Sequence, residues 1–238
     1  MLRFYLSIIF NLHNGPSYMI RMRRMARHPE KYSMELRYRY ALNIVKHFMT
    51  AVDTKTLVYG IENLPKEGGY VMFPNHQGKY DVLGIFYSHK TPCSFVMDKA
   101  KSYSYFLREL INLIDAKRLA LDDVKQNIAV INEVSEAVAN GEKYIIFPEG
   151  GYKKNHNHLQ EFKPGSFKCA TKAKAPIVPV CLIDSYKALN SNHIGRVTTK
   201  VIYLEPLYYD DYKNMKTPEI AELVKQKIQE KLDEFGVD

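Results

Sequence analysis

The sequence predicts an α/β fold: a sheet flanked by helices, preceded by a basic, amphipathic helical segment. Three observations carry that reading. Short apolar runs such as Tyr70–Phe73 stop at proline or glycine, as buried strands do. Between them lie segments whose apolar residues recur at helical spacing, and alternating strands and helices are the pattern of α/β architecture. The charge is also concentrated. Residues 1–50 hold nine Lys/Arg against Glu30 and Glu35, so +7 of the net +8 of this 238-residue chain lies there.

The elements follow in order. Leu2–Leu12 is almost unbroken apolar sequence. It is shorter than the roughly 18 residues of a membrane span, and arginines rather than a small-residue cleavage site come after it. "NGPSY", Asn14–Tyr18, breaks it. Met19–Arg27 then interleaves methionines with arginines, and Glu30–Met49 adds tyrosines and further cations. Apolar and aromatic residues beside Lys and Arg are the composition of a helix lying in a bilayer interface. A helical pair packed on a domain has the same composition, and the two readings suit different faces. From Thr56 the pattern changes. Thr56–Ile61 and Gly68–Phe73 read as strands, Asp81–His89 as a helix, Cys93–Asp98 as a strand and Tyr103–Ile114 as a helix. In Asp122–Gly141 the spacing of Val124, Ile128, Ile131, Val134 and Val138 is helical, and Gly141 is a natural stop. Lys143–Phe147 reads as a strand, Pro164–Lys174 as a helix with proline at its start, and Pro176–Ile183 and Arg196–Leu207 as strands. Thr217–Phe235 closes as an amphipathic helix with Ile220, Leu223, Val224, Ile228, Leu232 and Phe235 on one side. No Gly/Ser linker interrupts the chain. The only boundary expected falls between a membrane-association segment, residues 1–50, and a globular domain, residues 51–238. Cys93, Cys169 and Cys181 lack metal-like spacing and cannot all pair, which suits a reducing compartment.

Chemistry-bearing residues gather where predicted strands end. After Pro74 come Asn75, His76 and Gln77, then Gly78 and Asp81. Histidine can accept a proton near neutral pH, and a carboxylate on its far ring nitrogen fixes the tautomer and stabilises the imidazolium. On a continuous helix the two would lie about 140° apart, so a turn must intervene, and Gly78 tolerates unusual dihedrals there. A lone structural histidine is the competing reading. No Gly-x-Ser-x-Gly elbow accompanies the pair, so a catalytic His76 is expected to activate a hydroxyl of the substrate. The second place is "FPEGGYKKNHNH". Glu149, Gly150 and Gly151 end another strand and are followed by Lys153 and Lys154, a combination suited to phosphate. His156 and His158 have no acidic partner at ligand spacing, and no metal site is expected. Lys99, Lys117 and Arg118 are further cations able to neutralise a phosphate, although exposed surface positions explain each singly.

In combination these stretches resemble one family. "NHQGKYD" resembles the Asn-His-x4-Asp box of the 1-acylglycerol-3-phosphate acyltransferases, and "IFPEGG" their Phe-Pro-Glu-Gly-Thr-Arg box. "APIVPV" resembles their Val-Pro box, with Pro179 at the matching position, and "LIDAKR" stands where they have Phe-Ile-Asp-Arg. The resemblance spans about residues 56–205. It implies a mixed sheet flanked by helices, as in glycerol-phosphate acyltransferases. It implies transfer of a fatty acyl group from a coenzyme A or acyl carrier protein thioester to the sn-2 hydroxyl of 1-acylglycerol-3-phosphate, giving phosphatidic acid. His76 is then the general base and Asp81 its orienting partner. Asn75, Glu149, Gly150, Gly151 and Lys99 are expected around the acceptor, and no metal, prosthetic group or acyl-enzyme is required. Two departures affect acceptor recognition. Gly151-Tyr152 replaces Thr-Arg, leaving Lys153 or Lys154 to stand in, and Ala116 replaces an arginine, leaving Arg118 two residues late. The expected partners are a lysophospholipid, the thioester, an anionic membrane surface and acyl carrier protein, with the enzyme peripheral on the cytoplasmic face. Nucleic acid is not expected, since nothing resembles a helix-turn-helix or an aromatic RNA-binding motif. The alternatives are another lysophospholipid or lipid acceptor, a non-catalytic lipid-binding protein, and a hydrolase in which His76 activates water.

Overall fold

The computed structural model describes residues 2–103, 105–120 and 122–236. Seven strands form one sheet: β1 (Thr54–Tyr59), β2 (Tyr70–Pro74), β3 (Ser94–Asp98), β4 (Lys117–Leu119), β5 (Lys143–Ile145), β6 (Ile177–Ile183) and β7 (Val197–Tyr203). Their order is β1-β7-β6-β2-β5-β3-β4. All neighbours pair parallel except β6 and β7, which are antiparallel. The sheet is therefore mixed, with β1 and β7 reversed against a parallel block of five. The helices are α1 (Leu2–Asn11), α2 (Gly15–Arg27), α3 (Met34–Ala51), α4 (Asp81–Ser88), α5 (Tyr105–Leu113), α6 (Val124–Ala139), α7 (Lys168–Ala173), α8 (Ser185–Leu189), α9 (Tyr209–Tyr212) and α10 (Thr217–Glu234).

Side chains alternate across the sheet. Met72 of β2 joins Met22, Tyr38, Ile44, Phe86 and Ile111 under α2–α5. Val71 and Phe73 face the other way and join Val134, Phe167, Val224 and Ile228 under α6, α7 and α10. Loops leaving the C-terminal ends of parallel strands collect on one edge, where open α/β sheets place their sites. The turns after β2, β3, β4 and β5 all lie there.

Several elements differ from the sequence reading. β4 lies inside a stretch read only for its cations, because three residues are too few to show periodicity. α8 and α9 are missed for the same reason. The helix expected from Pro164 begins as a 3₁₀ turn, Pro164–Phe167, and α7 ends where Lys174 adopts φ 52°. In α10 Ala221 takes an inward position, while Leu223 is half-buried and Phe235 is exposed beyond the helix end. Ser104 of the expected Tyr103–Ile114 helix lies outside the described residues.

The first fifty residues pack on the sheet domain through Met19, Met22 and Met25 of α2 and Ala41, Ile44 and Val45 of α3. α1 is inside out. Its buried positions are Arg3, Ser7 and Asn11, while Leu2, Tyr5, Ile8, Ile9 and Phe10 are exposed. The Arg3 guanidinium donates to the carbonyls of Val52, His193, Ala188 (2.8 Å) and Gly195 (2.6 Å). Not all of the nine cations in this segment lie on its surface. Arg37 is buried against Leu113 O and Asp115, and Arg23 is paired with Glu109 at 2.7 Å. Arg21, Arg24, Arg27, Lys31, Arg39 and Lys46 remain exposed. Among the described residues no helix is long and apolar enough to cross a membrane.

Candidate active site

Pro74 still pairs with Val180 of β6, and the chain leaves the sheet immediately after it. The turn through residues 77–80 brings Asp81, the first residue of α4, back under His76. The His76 Nδ1–Asp81 Oδ2 distance is 2.7 Å. With Nδ1–H as donor, Nε2 carries the lone pair. Asp81 is fully buried. Its Oδ2 also accepts from the backbone N–H groups of Gln77 (2.6 Å) and Gly78 (2.9 Å), and its Oδ1 from the Ser185 hydroxyl (2.5 Å). The N-terminal turn of α4 favours a negative charge at this position. Gly78 is needed for space rather than for its dihedrals. A Cβ there would meet the Asn190 side chain at 2.8 Å, and Asn190 Oδ1 accepts from Lys79 N.

The imidazole is also held from its faces. Phe147 stacks on it at 4.1 Å between ring centroids, and Tyr152 meets it edge-on at 4.7 Å. Glu149 is buried and turned inward. Its Oε1 accepts from His76 N (3.0 Å) and its Oε2 from Gln160 Nε2 (2.5 Å). Burial pushes its carboxyl above the usual range. A carboxylate so engaged positions the histidine backbone and is not a phosphate ligand. Asn75 is likewise fully engaged, donating to Leu182 O (3.0 Å) and accepting from Leu182 N (2.7 Å). Gln77 adds bonds to Leu182 O, Asn157 and Ser185. Together these stitch the His76 loop to the end of β6.

His76 lies on the wall of a cavity of about 1720 Å³. Gly150 (φ 73°) and Gly151 (φ 154°) line it. Four expected cations do not. Lys99, Lys153 and Lys154 are exposed away from it, and Arg118 is held by Ser102 Oγ (3.2 Å) and Asn112 Oδ1 (2.8 Å). Their places on the wall are taken by Lys79, Lys101, Lys163, Lys168 and Lys172. Lys163 lies across Gly150, where a Cβ would come within 2.4 Å of its Nζ. Lys101 Nζ sits 5.9 Å from the Tyr152 ring centre. Under α1–α5 the wall is apolar, with Phe4, Ile8, Ile44, Phe48, Leu83 and Leu107. Ser185 and Gln160 were not singled out from the sequence, and Gln77 and Phe147 were named there without a role. Ser185 is 104 residues from Asp81, and no local pattern signals such a meeting.

A mixed sheet with a His–Asp pair at its strand edge, the carboxylate buried and the imidazole open to a largely apolar cavity with lysines on its wall, large enough for a fatty chain, defines a lipid-handling enzyme of the α/β class. Residues 55–183 match the family described as Acyltransferase, more than half of the chain, and the chain belongs to that family. It is 25% identical over 224 residues to the "Probable 1-acyl-sn-glycerol-3-phosphate acyltransferase" of Mycoplasma pneumoniae, covering 88% of this chain and 83% of that protein. It is 28% identical over 197 residues to the 1-acyl-sn-glycerol-3-phosphate acyltransferase of Saccharomyces cerevisiae, spanning 81% of this chain but only 64% of the yeast protein. The crystal structure of the 1-acyl-sn-glycerophosphate (LPA) acyltransferase PlsC from Thermotoga maritima superposes with a TM-score of 0.78, covering 100% of this chain and 95% of that one. At 20% identity that likeness is one of fold.

Proposed function

We propose that this enzyme moves a fatty acyl group from a thioester to the sn-2 hydroxyl of 1-acylglycerol-3-phosphate, forming phosphatidic acid, with His76 as general base. The observation that carries the reading is the 2.7 Å His76–Asp81 pair opening onto the lipid-sized cavity. His76 Nε2 takes the hydroxyl proton as the oxygen attacks the thioester carbonyl. The new C–O bond forms, the C–S bond breaks, and the imidazolium returns the proton to the departing thiolate. Asp81 stabilises the imidazolium in between. The acceptor's phosphate is on the carbon next to the reacting one, so it must lie beside His76. Lys101 and Lys163, which flank Tyr152 and Gly150, take it in place of the arginine absent from the "FPEGG" stretch. Fatty chains occupy the apolar wall under α1–α5. Either coenzyme A or acyl carrier protein serves as donor carrier. The relatives' names favour this acceptor over other lysolipids.

The same reading places the enzyme peripherally on the cytoplasmic face of an anionic membrane. The exposed apolar side of α1 supports insertion into one leaflet, with Arg21, Arg24 and Arg27 near the headgroups at about 1 kcal/mol each. Buried, unpaired Cys93, Cys169 and Cys181 fit a reducing side. The test is acyl transfer to lysophosphatidic acid in micelles, with each donor supplied separately. Phosphatidic acid should form with wild type and fall by about 10²–10⁴-fold in His76→Ala. Product from another lysolipid but none from lysophosphatidic acid would move the assignment to that acceptor. Release of free fatty acid in its place would make the enzyme a hydrolase.

A further inference from the structure

The cavity does not end at the catalytic pair. Past Gly150 it continues between α6 and α7, on the face of the sheet opposite α1–α5. Both helices begin at the strand edge that holds His76, since α6 follows β4 and α7 follows the turn after β5. The walls here are mixed, with polar groups standing beside the apolar Val124, Ile128 and Ile131 of α6. Lys168 and Lys172 stand one helical turn apart on α7 with Thr171 between them, and Asn127 and Asn132 face the same space from α6. Lys172 Nζ reaches across to Asn132 Oδ1 at 2.5 Å. Among the described residues no carboxylate pairs with Lys168 or Lys172. Asn127 Oδ1, shielded from solvent, has no hydrogen-bond partner.

This half of the cavity therefore combines an apolar strip with two lysines that have no carboxylate partner and an amide oxygen that has no donor, a wall suited to an arm that carries methyl groups, amides and a terminal anion. The acceptor's own phosphate is on the carbon next to the reacting one and is met by Lys101 and Lys163 beside Tyr152 and Gly150, which leaves Lys168 and Lys172 for another anion. The donor's phosphate is one. In every coenzyme A or carrier-protein thioester it is separated from the sulfur by the whole pantetheine chain, which carries two amides.

We propose that the groove between α6 and α7 binds the acyl donor's 4′-phosphopantetheine arm. Lys168 and Lys172 hold its phosphate, and Asn127, Asn132 and Thr171 meet its amides. This rests on the acyl-transfer reading and adds the donor's side of the same site. The arm then runs down α7, the thioester sits at His76, and the acyl chain turns under α1–α5.

The test is two-substrate kinetics on the full chain. Lys168→Ser/Lys172→Ser and Asn127→Ala are compared with wild type, using a long-chain acyl-coenzyme A and an acyl carrier protein thioester in separate series. Both lysines are exposed, so the double variant should keep the wild-type melting temperature. The donor KM should rise by about tenfold per lysine lost, with both donors, while the KM for lysophosphatidic acid stays within about twofold. Pantetheine 4′-phosphate should compete with the donor in wild type and lose that effect in the double variant. An unchanged donor KM, or a rise in the acceptor KM instead, overturns the assignment. A rise confined to acyl-coenzyme A also overturns it, since the groove would then read the nucleotide phosphates and not the shared arm. Wild type forming no product from any thioester would sink the acyl-transfer reading itself, and this inference with it.

Discussion

Asp81→Asn isolates the charge of the pair from its geometry. The asparagine oxygen can face the three donors that Asp81 Oδ2 now accepts from, namely His76 Nδ1 and the N–H groups of Gln77 and Gly78. Its amide nitrogen then meets the Ser185 hydroxyl, which can rotate from donor to acceptor. The loop should keep its shape, and the melting temperature should move by only a few degrees. What disappears is the attraction between a fully buried carboxylate and the imidazolium formed in the transition state, whose ring is mostly buried as well. Two unit charges about 4 Å apart attract by about 4 kcal/mol at an effective dielectric constant near 20. Losing most of that corresponds to a fall in kcat of about 10²–10³-fold, with KM for both substrates little changed because neither is charged by the pair before reaction. The assay is steady-state formation of phosphatidic acid, with thermal unfolding run in parallel. A folded Asp81→Asn enzyme retaining kcat within about fivefold would show that the imidazolium needs no counter-charge, and His76 would then have to act without Asp81.

Other outcomes follow from the same geometry. Glu149→Gln sets an amide between two donors, His76 N and Gln160 Nε2, so one of them loses its acceptor. It should cost about 1–3 kcal/mol of stability and lower kcat through the displaced histidine, which unfolding curves and kinetics on the same sample will check. Ile9 and Phe10 are 63% and 57% exposed. Ile9→Asp/Phe10→Asp should therefore leave the melting temperature unchanged yet cut flotation with anionic vesicles by more than about tenfold. Unchanged flotation would remove α1 from the membrane contact. His89 is buried between Tyr70 OH and Thr91 O, and burial lowers its pKa from 6.5 to about 4. Below pH 6.5 the unfolded chain takes up a proton that the folded one refuses. Stability is thus complete above that pH and is lost as pH falls toward 4, by about 3 kcal/mol in all. Melting temperatures from pH 7 to 4.5 should show this slope, and His89→Gln should flatten it.

Much of the fold was legible because its signals are local. Tyr70–Pro74, the turn after it and α4 from Asp81 are each determined by neighbours in the chain: an apolar run, a proline with no N–H to give, and a helix start. The His76–Asp81 pairing was legible for the same reason, since the two residues are joined by one turn. Misreadings arose where a residue's role depends on something distant. Asn75 and Glu149 sit in the right stretches, yet their side chains face Leu182 and the His76 backbone, not the cavity. Lys99, Lys153, Lys154 and Arg118 carry the charge a phosphate needs, but the lysines on the cavity wall are Lys79, Lys101, Lys163, Lys168 and Lys172, which the sequence presents as ordinary surface cations.

By itself, then, the amino-acid sequence determined an α/β chain with a His–Asp pair at a strand edge and a basic, apolar segment ahead of it. Periodicity, turn chemistry and short-range spacing are properties of adjacent residues. Strand order decided the rest. Placing β6 beside β2 brings Ser185 under Asp81, and placing β5 on the other side brings Phe147 and Glu149 around His76. The burial of Arg3 against four carbonyls turns the apolar side of α1 outward. Such meetings depend on how distant segments exchange water for each other, and no window of sequence contains that information.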